Sequence, residues 1–105
     1  MDDVFCKIIR GEIPTDFVLR TDEIVVFHDI NPSAPVHLLV VPTKHCDGIG
    51  DAGENILGNL LMVANQVAKD VGLTNGYRII VNEGVDGGKL VPHLHFHVLG
   101  GKKFL

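Results

Sequence analysis

Pro92-His93-Leu94-His95-Phe96-His97-Val98-Leu99 is the stretch on which the reading of this chain turns. In an extended chain, alternation puts His93, His95 and His97 on one face and Leu94, Phe96 and Val98 on the other. The same spacing on a helix would scatter the imidazoles around the axis. Three aligned imidazoles add little to a hydrophobic core and need hydrogen-bond partners wherever they are buried. Lys, Thr or Glu would serve a merely solvated sheet face more readily. A strand from about His93 to Leu99, with a chemical site on one side and core on the other, is the expectation.

Working outward, Val36 to Val41 is a near-continuous apolar run closed by Pro42 and reads as a central strand. Phe17 to Leu19 and Ile24 to Asp29 alternate and are rich in β-branched and aromatic residues, so they read as strands too. Asn31 to Pro35 is a turn with two prolines. Phe5 to Arg10 suits one or two helical turns, stopped by Gly11 and Pro14. Ile56, Leu57, Leu60, Leu61, Ala64, Val67, Ala68 and Val71 recur at helical spacing, leaving Asn55, Asn59, Asn65, Lys69 and Asp70 outward. Asp51 and Glu54 suit a capping box for this long helix, and Gly72 is placed to end it. Tyr77 to Val81 is a further strand, and Asn82 to Lys89 a turn-rich loop. One long helix interrupting a majority of strands predicts an α+β fold with an antiparallel sheet.

The 105 residues suffice for one domain, residues 1–105. Charged residues make up 21% and apolar ones 46%, which excludes wholesale disorder. The net charge of −4, without a basic cluster beyond Lys102-Lys103, argues against nucleic acid as ligand. No apolar run approaches the roughly 18 residues a membrane span needs, and the acidic start Met1-Asp2-Asp3 is unlike a signal peptide. A cytoplasmic location is expected, and two cysteines make a poor disulfide framework. A mean hydropathy of +0.26 is high for so small a chain and points to a subunit contact.

Two chemistries suit the histidines. Alternate imidazoles on a strand can bind zinc; alternatively, one is a nucleophile toward an anionic centre that its neighbours hold. The segment Asn82-Glu83-Gly84-Val85-Asp86-Gly87-Gly88 favours the second, because unhindered glycine amides can form an anion-binding concavity that a metal has no need of.

These residues carry a resemblance. His-x-His-x-His among apolar residues, followed by Leu99-Gly100-Gly101, resembles the histidine triad (HIT) superfamily. Phe5 to Pro14, Phe27-His28-Asp29-Ile30-Asn31-Pro32 with Ala34-Pro35-Val36-His37, and Gly76-Tyr77-Arg78 leading to Asn82-Glu83-Gly84 match further blocks in order. Gly100-Gly101 is similar to the histidine triad nucleotide-binding branch; the dinucleoside polyphosphate hydrolases usually have Pro-Arg there. The resemblance implies the HIT fold, with a sheet of about five strands, one long helix and a short N-terminal helix. It implies a homodimer, no cofactor, and a purine nucleoside phosphoramidase acting at the α-phosphate of AMP-like substrates. The alternatives are a dinucleoside polyphosphate hydrolase and a nucleotide-binding protein with little turnover.

By the same resemblance, His95 is the nucleophile, His97 and His37 face the phosphate, and Asn82 and Gly88 hold its oxygens. His93 orients His95 through its backbone, with His45 as partner. Asp29 binds the ribose hydroxyls, and Phe5, Ile8, Phe27, His28 and Ile30 form the base pocket, with Lys89 and Leu90 also beside the nucleotide. Three departures stand out. Leu90 replaces a serine that assists the leaving group, Pro92 occupies an often aromatic position, and only a few residues follow Gly101. Some superfamily members hold a structural zinc with a Cys-x-x-Cys pair and two histidines. Cys6, His45 and His93 stand at matching places, with Asp3 for the first cysteine. Most chains of the nucleotide-binding branch lack that site, so no metal is expected.

Overall fold

The seven residues Val36–Pro42 form the central strand, here β3, and almost all are buried because both sheet faces are covered. In the computed structural model, which describes residues 2–105, the other elements are α1 (Val4–Ile9), β1 (Phe17–Arg20), β2 (Ile24–His28), α2 (Ile49–Ala52), α3 (Glu54–Asp70), β4 (Arg78–Ile80) and β5 (Phe96–Gly100). The sheet order is β1-β2-β3-β5-β4, with every neighbouring pair antiparallel. This is the α+β arrangement expected from the sequence.

Side-chain parity sorts the core into two layers. Ile24, Val26, Leu38, Val40, Phe96 and Val98 pack under α3 with Leu60, Ala64, Val67 and Ala68. Val25, Phe27, Leu39 and Val41, from the opposite face, pack with Phe5 and Ile8 of α1. Leu94 joins the α3 layer, so the apolar half of the histidine stretch packs where alternation places it.

The structure corrects several local expectations. The last strand starts at Phe96, three residues later than expected. Val40 pairs with Phe96, and continuing that register would set position 94 against Pro42, which has no N–H to give a ladder. Leu94 N–H bonds to Cys46 O instead. The strand expected over Tyr77–Val81 is confined to Arg78–Ile80.

Asp51 and Glu54 form no capping box, because Asp51 belongs to α2 and Gly53 stands between the helices at φ 84°, ψ 158°. That conformation favours glycine, which has no side chain with which to cap α3. Leu61, expected on the packed stripe, is half exposed beside Met62. At the other end the expectation holds. Gly72 adopts φ 90°, its N–H bonds to Lys69 O and that of Leu73 to Ala68 O, the paired bonds of a Schellman terminus.

Leu60 is fully buried between α3 and the sheet. Leu60→Ala removes three heavy atoms from that layer and is expected to lower unfolding stability by about 2–5 kcal/mol in urea titration; a loss under about 1 kcal/mol would show that α3 is loosely packed.

Candidate active site

Residues 93–95 lie outside the ladder, with a bend at His93, yet the imidazoles stay together beside Phe5 of α1. His95 and His97 ring centroids are 4.9 Å apart, and Phe5 stands edge-on to His95 at 5.0 Å and to His93 at 5.8 Å. His93 and His95 are buried. A cleft of about 680 Å³ opens beside them. Phe5, Ile8, Phe27 and Leu39 give it an apolar wall, His95 and His97 line it, and His28, Asp29, Ile30, Asn82, Gly88 and Leu90 stand around it. Such a pocket, mostly apolar with a few converging polar groups, has the character of a small-molecule site.

Hydrogen bonds assign the imidazole tautomers. His95 Nδ1 is 2.7 Å from His93 O, and a carbonyl oxygen only accepts, so Nδ1 carries the proton and Nε2 keeps its lone pair. Ser33 N–H donates to His37 Nδ1 at 3.0 Å. His37 therefore carries its proton on Nε2, which donates to His97 Nδ1 at 2.9 Å. That leaves His97 with an Nε2–H donor. One imidazole of the cleft thus offers a lone pair and its neighbour a proton.

Burial lowers the pKa of both. For His95 desolvation is the main cause, with the His93 carbonyl bond opposing it. His97 is held down to about 4 by desolvation first, then by the neighbouring His95 and His37. Both are neutral at physiological pH.

The remaining expected residues fall into three groups. Asp29 is anchored by its own backbone, with its N–H on His37 O and its Oδ1 accepting from Asn31 N–H at 2.8 Å; its other oxygen, Oδ2, lies 3.5 Å from His37 Nε2. His37 does not line the cleft but backs His97 from inside. The loop after β4 is the main departure from expectation. Gly88 and Lys89 amides donate to Val85 O and Gly84 O within the loop, and Asn82 Nδ2 donates to Gly87 O at 2.7 Å. The Gly88 and Lys89 amides thus hold the loop's shape, while Asn82 Nδ2 keeps a second N–H at the edge of the cleft. Gly87 is required there, since a Cβ would lie 2.1 Å from Glu83 O. Lys89 lies away from the cleft, its Nζ donating to Asp47 O. Leu90 is 93% exposed at the cleft mouth.

Behind the triad, Asp3, Cys6, His45 and His93 bring one donor atom each within 4.8 Å of one another. His93 Nε2–H donates to Pro42 O at 2.9 Å and His45 Nε2 lies 3.1 Å from Asp47 Oδ1, so both rings turn their Nδ1 atoms inward. Each Nδ1 lies 3.0–3.1 Å from Asp3 Oδ2 and 3.5–3.7 Å from Cys6 Sγ. A tetrahedral zinc ion would set its N and O ligands about 3.3 Å apart and its N and S ligands about 3.5 Å apart. The spacing of the donor set is compatible with such an ion. Asp29, His37 and His97 also cluster, but His37 Nε2 holds a proton and cannot ligate.

A HIT domain model matches residues 10–104, and the chain belongs to this family. It is 45% identical to an uncharacterized HIT-like protein of Buchnera aphidicola, covering 96% of this chain and 94% of that one. A HIT family hydrolase from Clostridium thermocellum superposes with a TM-score of 0.92 at 42% identity, covering 96% of this chain and 91% of the other. A histidine triad nucleotide-binding protein from Candida albicans gives 0.86 at 32% identity, covering 92% and 73%.

His95, His97 and Asp29, singled out in the sequence, stand at the cleft. Asp47, Ser33 and Leu39 were missed. Only the parity of β3 could have placed Leu39 in the wall, and Ser33 contributes a backbone N–H that no side-chain pattern encodes.

His97 makes stability pH-dependent. Its unfolded pKa lies near 6.5 and its folded value near 4, so the unfolded chain takes up the proton first. Its contribution is present above about pH 6.5 and is lost as pH falls toward 4. The urea midpoint is expected to drop between pH 7.5 and 5, and to drop less in His97→Gln; equal drops would remove His97 as the source.

Proposed function

We propose that the protein is a nucleotide hydrolase acting at the α-phosphate of purine nucleoside phosphoramidates or similar AMP derivatives, through a nucleotidyl-histidine intermediate on His95. The observation that carries this reading is the 2.7 Å bond from His95 Nδ1–H to His93 O. It leaves the Nε2 lone pair as the nucleophile of a neutral imidazole beside the cleft. The hydrolase and nucleotide-binding descriptions of the two similar structures support the same class.

In the first step His95 Nε2 donates its lone pair to phosphorus and the bond to the leaving group breaks, with the electron pair departing on that group. In the second, water attacks phosphorus, the bond to Nε2 breaks, and the imidazole is neutral again once the water's proton is released. Splitting the displacement in this way is ordinary nucleophilic catalysis. His97 Nε2–H stabilises the phosphoryl oxygens as charge develops, and His37, held by Ser33 N–H, keeps that donor pointed. The Asp29 carboxylate can accept two hydroxyl donors of a ribose. Phe5, Ile8 and Phe27 supply an apolar slot for a flat base. A zinc-type ion held by Asp3, Cys6, His45 and His93 would supply a structural tie behind His93, with no part in bond making.

A binder with little turnover is the second reading, and Leu90 favours it. Its side chain at the mouth cannot protonate an amine leaving group. The protein is expected to act as a homodimer in either case. The edge strand β4 has one sheet neighbour, and Leu61 and Met62 expose apolar surface on α3; pairing across that edge would cover both.

Turnover of adenosine 5′-phosphoramidate by His95→Ala is expected to fall at least about 10³-fold while AMP binding persists; retention of more than about 1% of the activity would exclude the role. Assaying dinucleoside polyphosphates in parallel separates the two hydrolase classes. Leu90→Ser is expected to raise rates for amine leaving groups and to leave acyl-phosphate substrates unchanged. An equal effect on both would show that Leu90 acts by shape.

A further inference from the structure

Asn82, Gly88 and Leu90 stand at the cleft, and all three belong to the stretch that follows β4. That strand has three residues and one sheet neighbour, so the sheet alone gives the stretch a weak foothold. The loop is nevertheless closed on itself. Gly88 N–H bonds to Val85 O and Lys89 N–H to Gly84 O, and Asn82 Nδ2 donates to Gly87 O. Gly87 packs so closely that a Cβ would lie 2.1 Å from Glu83 O. Residues 82–89 therefore form one closed unit, and its placement decides where the second N–H of Asn82 points.

Two side chains tie this unit down, and both reach away from the cleft to the segment 47–49. The Glu83 carboxylate accepts from Ile49 N–H at 3.0 Å, and Lys89 Nζ donates to Asp47 O. Both bonds are charge-assisted, one to the N–H and one to the C=O of a single short piece of backbone. Gly48 lies between them. Its backbone is extended, φ −161° and ψ −169°, a conformation open to any residue. Space is what calls for glycine, since a Cβ there would lie 2.5 and 2.6 Å from the Glu83 carboxylate oxygens.

The cleft side shows why this matters. No Lys or Arg is among the described residues that line the cleft, and the Lys89 ammonium is engaged by Asp47 O. Donors for an anionic group must therefore be neutral N–H groups, which act well only when aimed. Asn82 Nδ2 keeps one such N–H, at a cleft that His95 and His97 also line.

We propose that Glu83 and Lys89 are positioning residues, which tie the loop 82–89 to the segment 47–49 from outside the cleft and thereby aim the Asn82 amide at the phosphoryl oxygens of a substrate held against His95. The tie itself rests on the loop contacts, and only its target rests on the nucleotide reading. Aim matters most as charge builds on the oxygens, so loss of the tie lowers kcat more than it weakens substrate binding.

The test uses the full chain and its variants Glu83→Ala, Glu83→Gln, Lys89→Met and Gly48→Ala. Amide hydrogen exchange over residues 82–89, AMP binding and steady-state hydrolysis of adenosine 5′-phosphoramidate are measured on each. Glu83→Ala and Lys89→Met are expected to speed exchange in the loop and to lower kcat about tenfold, with KM changed less than about threefold. Gly48→Ala leaves the loop sequence intact but sets a methyl where the Glu83 carboxylate lies, and is expected to act in the same direction. Glu83→Gln keeps an oxygen acceptor for Ile49 N–H and is expected to restore most of both properties. In an Asn82→Ala background, Glu83→Ala is expected to change kcat less than about twofold, because the group it aims is gone. A full loss in that background, wild-type exchange in Glu83→Ala, or an unchanged kcat in Glu83→Ala overturns the proposal. If the wild-type chain neither binds AMP nor hydrolyses the phosphoramidate, the nucleotide reading fails, and the exchange rates alone decide whether Glu83 and Lys89 tie the loop.

Discussion

The bond from His95 Nδ1–H to the carbonyl of His93 is the constraint from which the site follows. It spans only two residues and is buried, so it forms because the chain leaves the ladder just before β5. Pro42 lies behind that departure. It ends the pairing of β3 with β5, and its carbonyl accepts from His93 Nε2–H. One proline thus fixes the orientation of His93, and His93 fixes the tautomer of His95.

A second chain of bonds works in the opposite sense. From Ser33 N–H through His37 to His97, each group donates to the next, so a proton donor is delivered beside the lone pair of His95. Two neighbouring imidazoles of one segment therefore differ in role because different backbone groups hold their far sides. Burial keeps both neutral; charge on either would remove the nucleophile or repel its partner.

How much of this the sequence discloses depends on range. Alternation in residues 93–98 sorts imidazoles from core residues correctly, since parity survives even where the ladder does not. Periodicity finds α3 and Gly72 ends it, because both are local. The capping box fails because Gly53 adopts a backbone conformation that glycine alone favours, which the Asp51-Glu54 spacing does not reveal. Gly88 was expected at the phosphate and Lys89 beside the nucleotide, but the Gly88 N–H bonds within the loop and the Lys89 ammonium reaches Asp47 O, and such closure depends on a three-dimensional path. The convergence of Asp3 with His45 and His93 spans nearly the whole chain and was visible only through the family resemblance.

The tautomer of His95 tests the account most directly. Nitrogen NMR of the imidazoles at neutral pH, with each histidine assigned by single substitution, reads which nitrogen bears the proton. The account predicts a neutral His95 with its proton on Nδ1 and an unprotonated Nε2. A neutral ring protonated on Nε2, or an imidazolium, would contradict it, because neither leaves a lone pair to attack phosphorus.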